Sequence, residues 1–239
     1  MSDHPGASRL RPTPPPIAVP SPRPATDAPP AAEAPAEPGP RDPGRVDPRR
    51  RLLRGVAAAV AEKGYAATTI ADVVGRAHVS KRTFYEHFPD KQACFLEAYR
   101  CGTDRLARRM LEGGTSTDGP WRERLRAALH AYFGVLVDAP ASTRSFTAEV
   151  VAAGPDAVAA RRENHRRTAE ALVAVVDHLR NDEPALRPLD PEIADAIVGA
   201  MSELVLHAVL DGRTADLRAL DAPMLTLLAA VLTAPDPEG

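Results

Sequence analysis

Residues 69–88 dictate two short helices joined by a tight turn. Thr69 is a good N-cap, and Asp72, three positions on, completes a capping-box pattern. Ile70, Val73, Val74 and Ala77 fall at i, i+3, i+4 and i+7, the spacing of one apolar helical face. Ala77-His78-Val79 forms the turn, and Ser80 caps the second helix. Phe84 and Phe88, four apart, face the core together, and Pro89-Asp90 ends the helix with Asp90 placed to cap the next one. Lys81, Arg82, Thr83, Tyr85 and His87 are left for the other surfaces.

A pair of this kind, with a basic outer face on its second helix, can lay that helix in the DNA major groove. The same pattern also serves as an ordinary solvated face in helical proteins, so the pattern alone leaves both readings open. The residue order goes further. Residues 49–91 resemble the N-terminal DNA-binding domain of the TetR family of one-component transcriptional regulators. The matching pieces are Gly64-Tyr65, Thr68-Thr69-Ile70, Asp72-Val73, Val79-Ser80-Lys81, Thr83-Phe84-Tyr85, His87-Phe88 and Asp90-Lys91. One departure stands out: the family usually has Gly in the turn where this chain has His78. Gly adopts a positive φ at no steric cost, whereas His only tolerates the left-handed region better than most residues. The turn is therefore expected to form with slight strain.

Fifteen of the 25 prolines fall within residues 1–48, with almost nothing to bury. Residues 1–47 are read as a disordered Pro/Ala-rich tail. Order begins near Pro48, where Leu52, Leu53, Val56, Ala57 and Val60 make an apolar stripe closed by Gly64. A long helix from Asp90 to about Leu111 follows the helix pair, with Phe95, Leu96 and Tyr99 expected to leave the first domain and enter the rest of the chain. Beyond Gly113-Gly114 helices are expected over about 120–138, 141–153, 155–181, 191–211 and 222–233. No long period-2 alternation, repeat or phosphate loop is present. The fold class is all-α: a three-helix helix-turn-helix domain over 48–92, then a helical ligand-binding and dimerisation domain over 93–235.

Charge supports that division. Residues 49–91 hold nine Lys/Arg against four Asp/Glu, a net of +5, while residues 92–239 carry a net of −6. A basic module on an acidic body suits nucleic-acid binding by the module alone. Cys94 and Cys101 lie seven apart on one expected helix, too far for a disulfide, and are read as two buried thiols. No metal-ligand cluster, cofactor motif, nucleophile–base pair or carboxylate dyad is visible, so no metal, cofactor or enzymatic activity is expected. No 18-residue apolar run and no signal core is found, which gives no membrane partner and a cytoplasmic location.

The resemblance implies a regulator of transcription whose second short helix reads double-stranded DNA. Lys81, Arg82 and Thr83 are then the base-edge candidates, Tyr85 and His87 flank the groove, and Thr69 and Lys91 are phosphate candidates, with Ser80 either a cap or a contact. Arg49, Arg50 and Arg51 either reach the adjacent backbone or solubilise the tail. The last two helices are apolar on more than one face, which calls for a second subunit as cover; the family implies a homodimer on a near-palindromic operator. The family also implies an unknown small-molecule effector in the second domain, for which Trp121, Phe133, Phe146, Glu149 and His165 are the candidates. A repressor released by that effector is the leading reading; an effector-free regulator or architectural protein is the alternative.

Overall fold

The structure, a computed structural model, describes residues 47–235, and every regular element among them is helical. The Pro-rich segment read as a tail lies outside the described residues, apart from Asp47. In chain order the helices are α1 (Pro48–Lys63), α2 (Ile70–Ala77), α3 (Lys81–His87), α4 (Lys91–Thr115), α5 (Trp121–Asp138), α6 (Pro140–Ala148), α7 (Pro155–Arg180), α8 (Pro191–Leu210) and α9 (Asp221–Thr233). Two 3-10 segments, Val150–Ala153 and Thr214–Leu220, interrupt the sequence.

The helix starts follow from local chemistry. The Asp47 carboxylate accepts the Arg49 amide at 3.1 Å, and Pro48 occupies a first-turn position that needs no N–H donor. Asp90 caps α4 by accepting the Ala93 amide at 2.7 Å. Leu52, Val56 and Val60 of α1 are fully buried with Val73 of α2, Phe84 of α3 and Phe95 of α4. Burying each such side chain contributes about 1.5–3 kcal/mol before entropy is counted.

This first core reaches further along the chain than the sequence reading allowed. Val150, Ala153, Ala157 and Ala160 close it from the far side. Phe95, Leu96 and Tyr99, expected to enter the second domain, pack in the first core instead; Leu106 and Met110 of the same helix enter the second. Packing therefore shows no break near residue 92. The second core gathers α5, the later part of α7, α8 and α9.

α4 also runs through Gly113-Gly114, which the sequence reading took as a stop near Leu111. A Cβ at Gly113 would lie 2.6 Å from the Ala127 carbonyl oxygen, and one at Gly114 2.7 Å from Val175 Cγ1. These glycines let α5 and α7 approach α4 closely. The packing offsets a propensity cost of about 1 kcal/mol for each.

Two further findings concern exposure. Cys94 is buried, and burial pushes its thiol up to about 12, whereas Cys101 is exposed. α8 is 20 residues long with a mean hydropathy of 1.7, long and apolar enough by length and composition to cross a bilayer. Asp195 and Glu203 lie within it, so it is not an unbroken apolar run. Its Ile197, Val198, Met201, Val205 and Val209 face the second core, while Ile193, Leu204 and Leu210 are exposed, as is Leu227 of α9.

Candidate nucleic-acid interface

The α2–α3 turn carries the strain expected of it. His78 sits at φ 50, ψ 49, the one non-glycine residue with positive φ among those described. The His78 amide donates to the Gly75 carbonyl at 3.3 Å and the Val79 amide to that of Val74 at 3.2 Å, the paired bonds of a Schellman motif. The Arg51 guanidinium donates to the His78 carbonyl oxygen, so α1 braces the turn. At the start of α2 the capping box is complete: the Asp72 amide donates to Thr69 Oγ1 at 3.2 Å, and the Thr69 amide to Asp72 Oδ2 at 2.9 Å. Hydrogen bonds from Lys63 and then Thr69 hold the Asp72 carboxyl far below the usual carboxylate range.

α3 is anchored by Phe84 and Phe88, whose rings lie 5.9 Å apart in the core. Its outward face then presents Lys81, Arg82 and Tyr85. Tyr85 is 58% exposed although large, held only by an edge contact with Phe84. Arg82 Nε donates to Glu86 Oε1 at 3.1 Å, and the Arg82 side chain is otherwise in solvent. Ser80 and Thr83 are occupied with capping: the Thr83 amide donates to Ser80 Oγ at 3.0 Å and the two hydroxyls lie 2.9 Å apart. His87 is half-buried against Phe88.

Lys91 and two of the three early arginines are internal. Lys91 Nζ donates to the carbonyls of Tyr65 at 2.7 Å and Thr68 at 2.8 Å and sits 4.2 Å from the Tyr65 ring centroid. Burial lowers its pKa. Arg49 pairs with Glu97 of α4 and lies 5.0 Å from the Phe88 centroid. With Arg51 braced on His78, Arg50 alone of the three is left facing solvent.

Behind this domain lies a cavity of about 200 Å³. Its apolar wall comes from Tyr99, Leu106, Tyr132, Val135, Leu136 and Phe146. Of the five residues the sequence offered for an effector, Phe146 and His165 line it; Trp121, Phe133 and Glu149 do not. Trp121 packs at the outer start of α5 under Arg122, Phe133 is fully enclosed in the second core, and Glu149 accepts the Tyr65 amide at 2.9 Å. Sequence could not separate these five because an aromatic or acidic residue in a helical stretch has no visible depth in sequence. Tyr99, Arg161 and Ser202 were missed. The i, i+3, i+7 series Tyr99, Gly102, Leu106 on α4, and Arg161 four before His165 on α7, were the signals available.

Inside, burial pushes the Tyr99 phenol up to about 12, so it stays a neutral donor. His165 Nε2 lies 3.1 Å from Ser202 Oγ. Burial and then the charge of Arg161 lower the imidazole pKa, with Asp195 opposing.

Residues 52–98 match the profile of Bacterial regulatory proteins, tetR family. They belong to the TetR family. The HTH-type transcriptional activator FasR of Mycolicibacterium smegmatis is 34% identical over 86 residues, an alignment that spans 36% of this chain and 38% of FasR. The fatty acid degradation regulator FadR from Bacillus halodurans superposes with a TM-score of 0.68 at 17% identity, over 77% of this chain and 95% of that one. FadR from Bacillus subtilis, solved in complex with stearoyl-CoA, gives 0.65 at 18% identity, over 76% and 98%. SmeT, the repressor of a Stenotrophomonas maltophilia multidrug efflux pump, gives 0.60 at 19%, over 76% and 88%. The shared fold therefore extends well beyond the TetR-family domain.

α6 and the 3-10 segment after it join that domain to the cavity. Ser142, Thr143, Phe146 and Thr147 line the cavity. From the same stretch Arg144 Nε donates to the Ala61 carbonyl of α1 at 3.1 Å and Glu149 holds the Tyr65 amide. Gln92 of α4 donates to the Ala153 carbonyl at 2.8 Å. The TetR-family domain is thus gripped from behind by groups one turn removed from the cavity wall.

Proposed function

We propose that this TetR-family transcriptional regulator acts in the cytoplasm as a homodimer on a near-palindromic operator in double-stranded DNA, and that a small molecule in the cavity releases it. The observation that carries the reading is α3, a helix anchored by two buried phenylalanines and presenting Lys81, Arg82 and Tyr85 outward. Lys81 and Arg82 address guanine O6/N7, a pairing their donors fit in the major groove. Tyr85 and His87 flank the groove and donate to phosphates. Thr69, Ser80 and Thr83 fix the ends of α2 and α3, and Lys91 fixes the loop before α2; any contact these four make with DNA is secondary to that work.

Residues 48–92 are the DNA-binding part and 93–235 the effector-binding and dimerisation part of this scheme. The exposed apolar side chains of α8 and α9 supply the subunit contact. The cavity's largely apolar wall favours an apolar effector body, and a structural neighbour that holds stearoyl-CoA supports the same class. Release requires that the effector bind one arrangement of the dimer more tightly than the other. Two recognition helices must match half-sites about 34–36 Å apart, so a small shift in their separation suffices. Repression is the sign we assign, although FasR, similar over 86 residues, is an activator.

The test is selection of bound sequences from a random duplex pool, followed by anisotropy titration of the selected site. A two-fold-related site, weakened at one position per half-site by Arg82→Ala, is the expected result. Affinity unchanged by both Lys81→Ala and Arg82→Ala, in folded protein, would remove α3 from the interface.

A further inference from the structure

The charged lining of the cavity is one-sided. Arg54 of α1, Arg105 of α4 and Arg161 of α7 border it, and no Asp or Glu does. Among the described residues none of these three guanidiniums has a carboxylate partner, although carboxylates on the same helices are close by. Those acids are engaged elsewhere: Asp104 takes Arg167 at 2.6 Å, Glu163 takes Arg166 and Arg167 at 2.7 Å each, and Glu97 takes Arg49. Asp195, whose field reaches His165, does not line the cavity.

The uncharged polar groups of the cavity are mostly spent internally. Thr103 Oγ1 donates to main-chain carbonyls of its own helix at 3.1 and 3.0 Å, and Thr143 Oγ1 to the Leu136 carbonyl at 2.7 Å. His165 and Ser202 satisfy each other. Tyr99, Tyr132, Ser142, Thr147 and Asn164 add only neutral groups, so the charge offered to a ligand is concentrated in the three arginines. A guanidinium fork suits a carboxylate or phosphate in two-point contact, and the attraction is strong beside an apolar wall. At about 200 Å³ the cavity is smaller than the roughly 300–1,000 Å³ of common drug sites, which suits a tail inside with its head at the rim.

We propose that the cavity takes an amphipathic anion, with an apolar tail among Tyr132, Val135, Leu136 and Phe146 and a carboxylate or phosphate head held by Arg54, Arg105 and Arg161. The inference rests on the effector reading above and narrows its ligand class. It also has a mechanical content: Arg54 belongs to the first helix of the TetR-family domain, so the head bonds directly to the part that reads DNA.

Calorimetric titration of the full chain, without DNA, tests this with four decyl probes: decanoate, decyl phosphate, decanol and decylamine. Both anions are expected to bind at least tenfold more tightly than decanol, with decylamine weaker still. The stronger of the two anions identifies carboxylate or phosphate as the head. Arg54→Gln and Arg161→Gln should each cut the anion-to-alcohol preference about tenfold and leave decanol affinity within twofold. Both sites are unpaired and partly solvated, so the variants should fold, which thermal melting checks. Decanol binding as tightly as the anions overturns the charge assignment and leaves an apolar effector site standing. A preference unchanged in both variants overturns the role of the arginines, and no binding by any decyl probe at millimolar concentration overturns the inference outright. Operator affinity, measured separately without probe, decides the DNA-binding reading on its own.

Discussion

His78 shows how a single residue can be used against its preference. Its left-handed backbone is fixed by two main-chain hydrogen bonds and by Arg51 on its carbonyl. A β-branched residue there should cost about 1–2 kcal/mol, and Gly should be neutral or stabilising by up to about 1 kcal/mol. Urea unfolding of His78→Val and His78→Gly decides it; equal stability of the two would mean the turn rearranges. Lys81 and Lys91 look alike in sequence and differ in use. Lys81→Ala should leave stability within about 0.5 kcal/mol while relaxing base preference at one position per half-site. Lys91→Ala strips two carbonyls of their donor and should lower stability by about 1–2 kcal/mol, with DNA binding lost only as the domain loosens. His165 gives a pH dependence. Its folded pKa lies below the unfolded value near 6.5, so below that pH the unfolded chain binds more protons and stability falls as pH drops. His165→Gln should shrink the loss of melting temperature between pH 7.5 and 5.5; an unchanged loss would assign it to other groups. The helix pair was legible in sequence because its caps, turn and anchors are local. The cavity was not, because which of Phe146, Phe133 and Trp121 borders empty space depends on helices distant in sequence.

At the scale of the element, periodicity placed all nine helices among the described residues, and the errors fell where tertiary packing overrides local signals. Gly113-Gly114 reads as a helix stop and is instead a close approach of three helices. Replacing Gly114 by Val forces a side chain against Val175 and should cost about 1–3 kcal/mol by overpacking, measured by denaturant midpoint; no cost would mean α5 and α7 can move apart. The 3-10 segment Thr214–Leu220 is too short for a clear periodic signature, with Leu217 buried and Leu220, three on, packed against the same core. α4 contributes to both cores, and α6 also grips α1 through Arg144 and the loop before α2 through Glu149. Glu149→Ala should leave operator affinity within about threefold and reduce the effector-induced change in it; an intact response, followed by anisotropy with and without effector, returns the role to α4.

For the whole molecule, burial separates the residues that hold the monomer from those available to a partner. Leu228 is wholly enclosed, whereas Leu227 and Leu204 are 39% and 37% exposed. Leu204→Glu and Leu227→Glu should therefore give folded monomers in sedimentation, and Leu228→Glu an unfolded chain; dimers surviving both exposed changes would move the contact elsewhere. The sequence showed that α8 and α9 were too apolar for a solvated surface but could not say which side faced outward, since both sides are apolar. The reach of the first core also has a consequence for biosynthesis. α1, α2 and α3 leave the ribosome early, yet Val150, Ala153, Ala157 and Ala160 complete their packing. At about 5–20 residues per second, the α3 end waits several seconds for these side chains to be made. The nascent chain therefore spends that interval with the core behind α3 incomplete, and a message truncated before this point yields a polypeptide whose first core never closes.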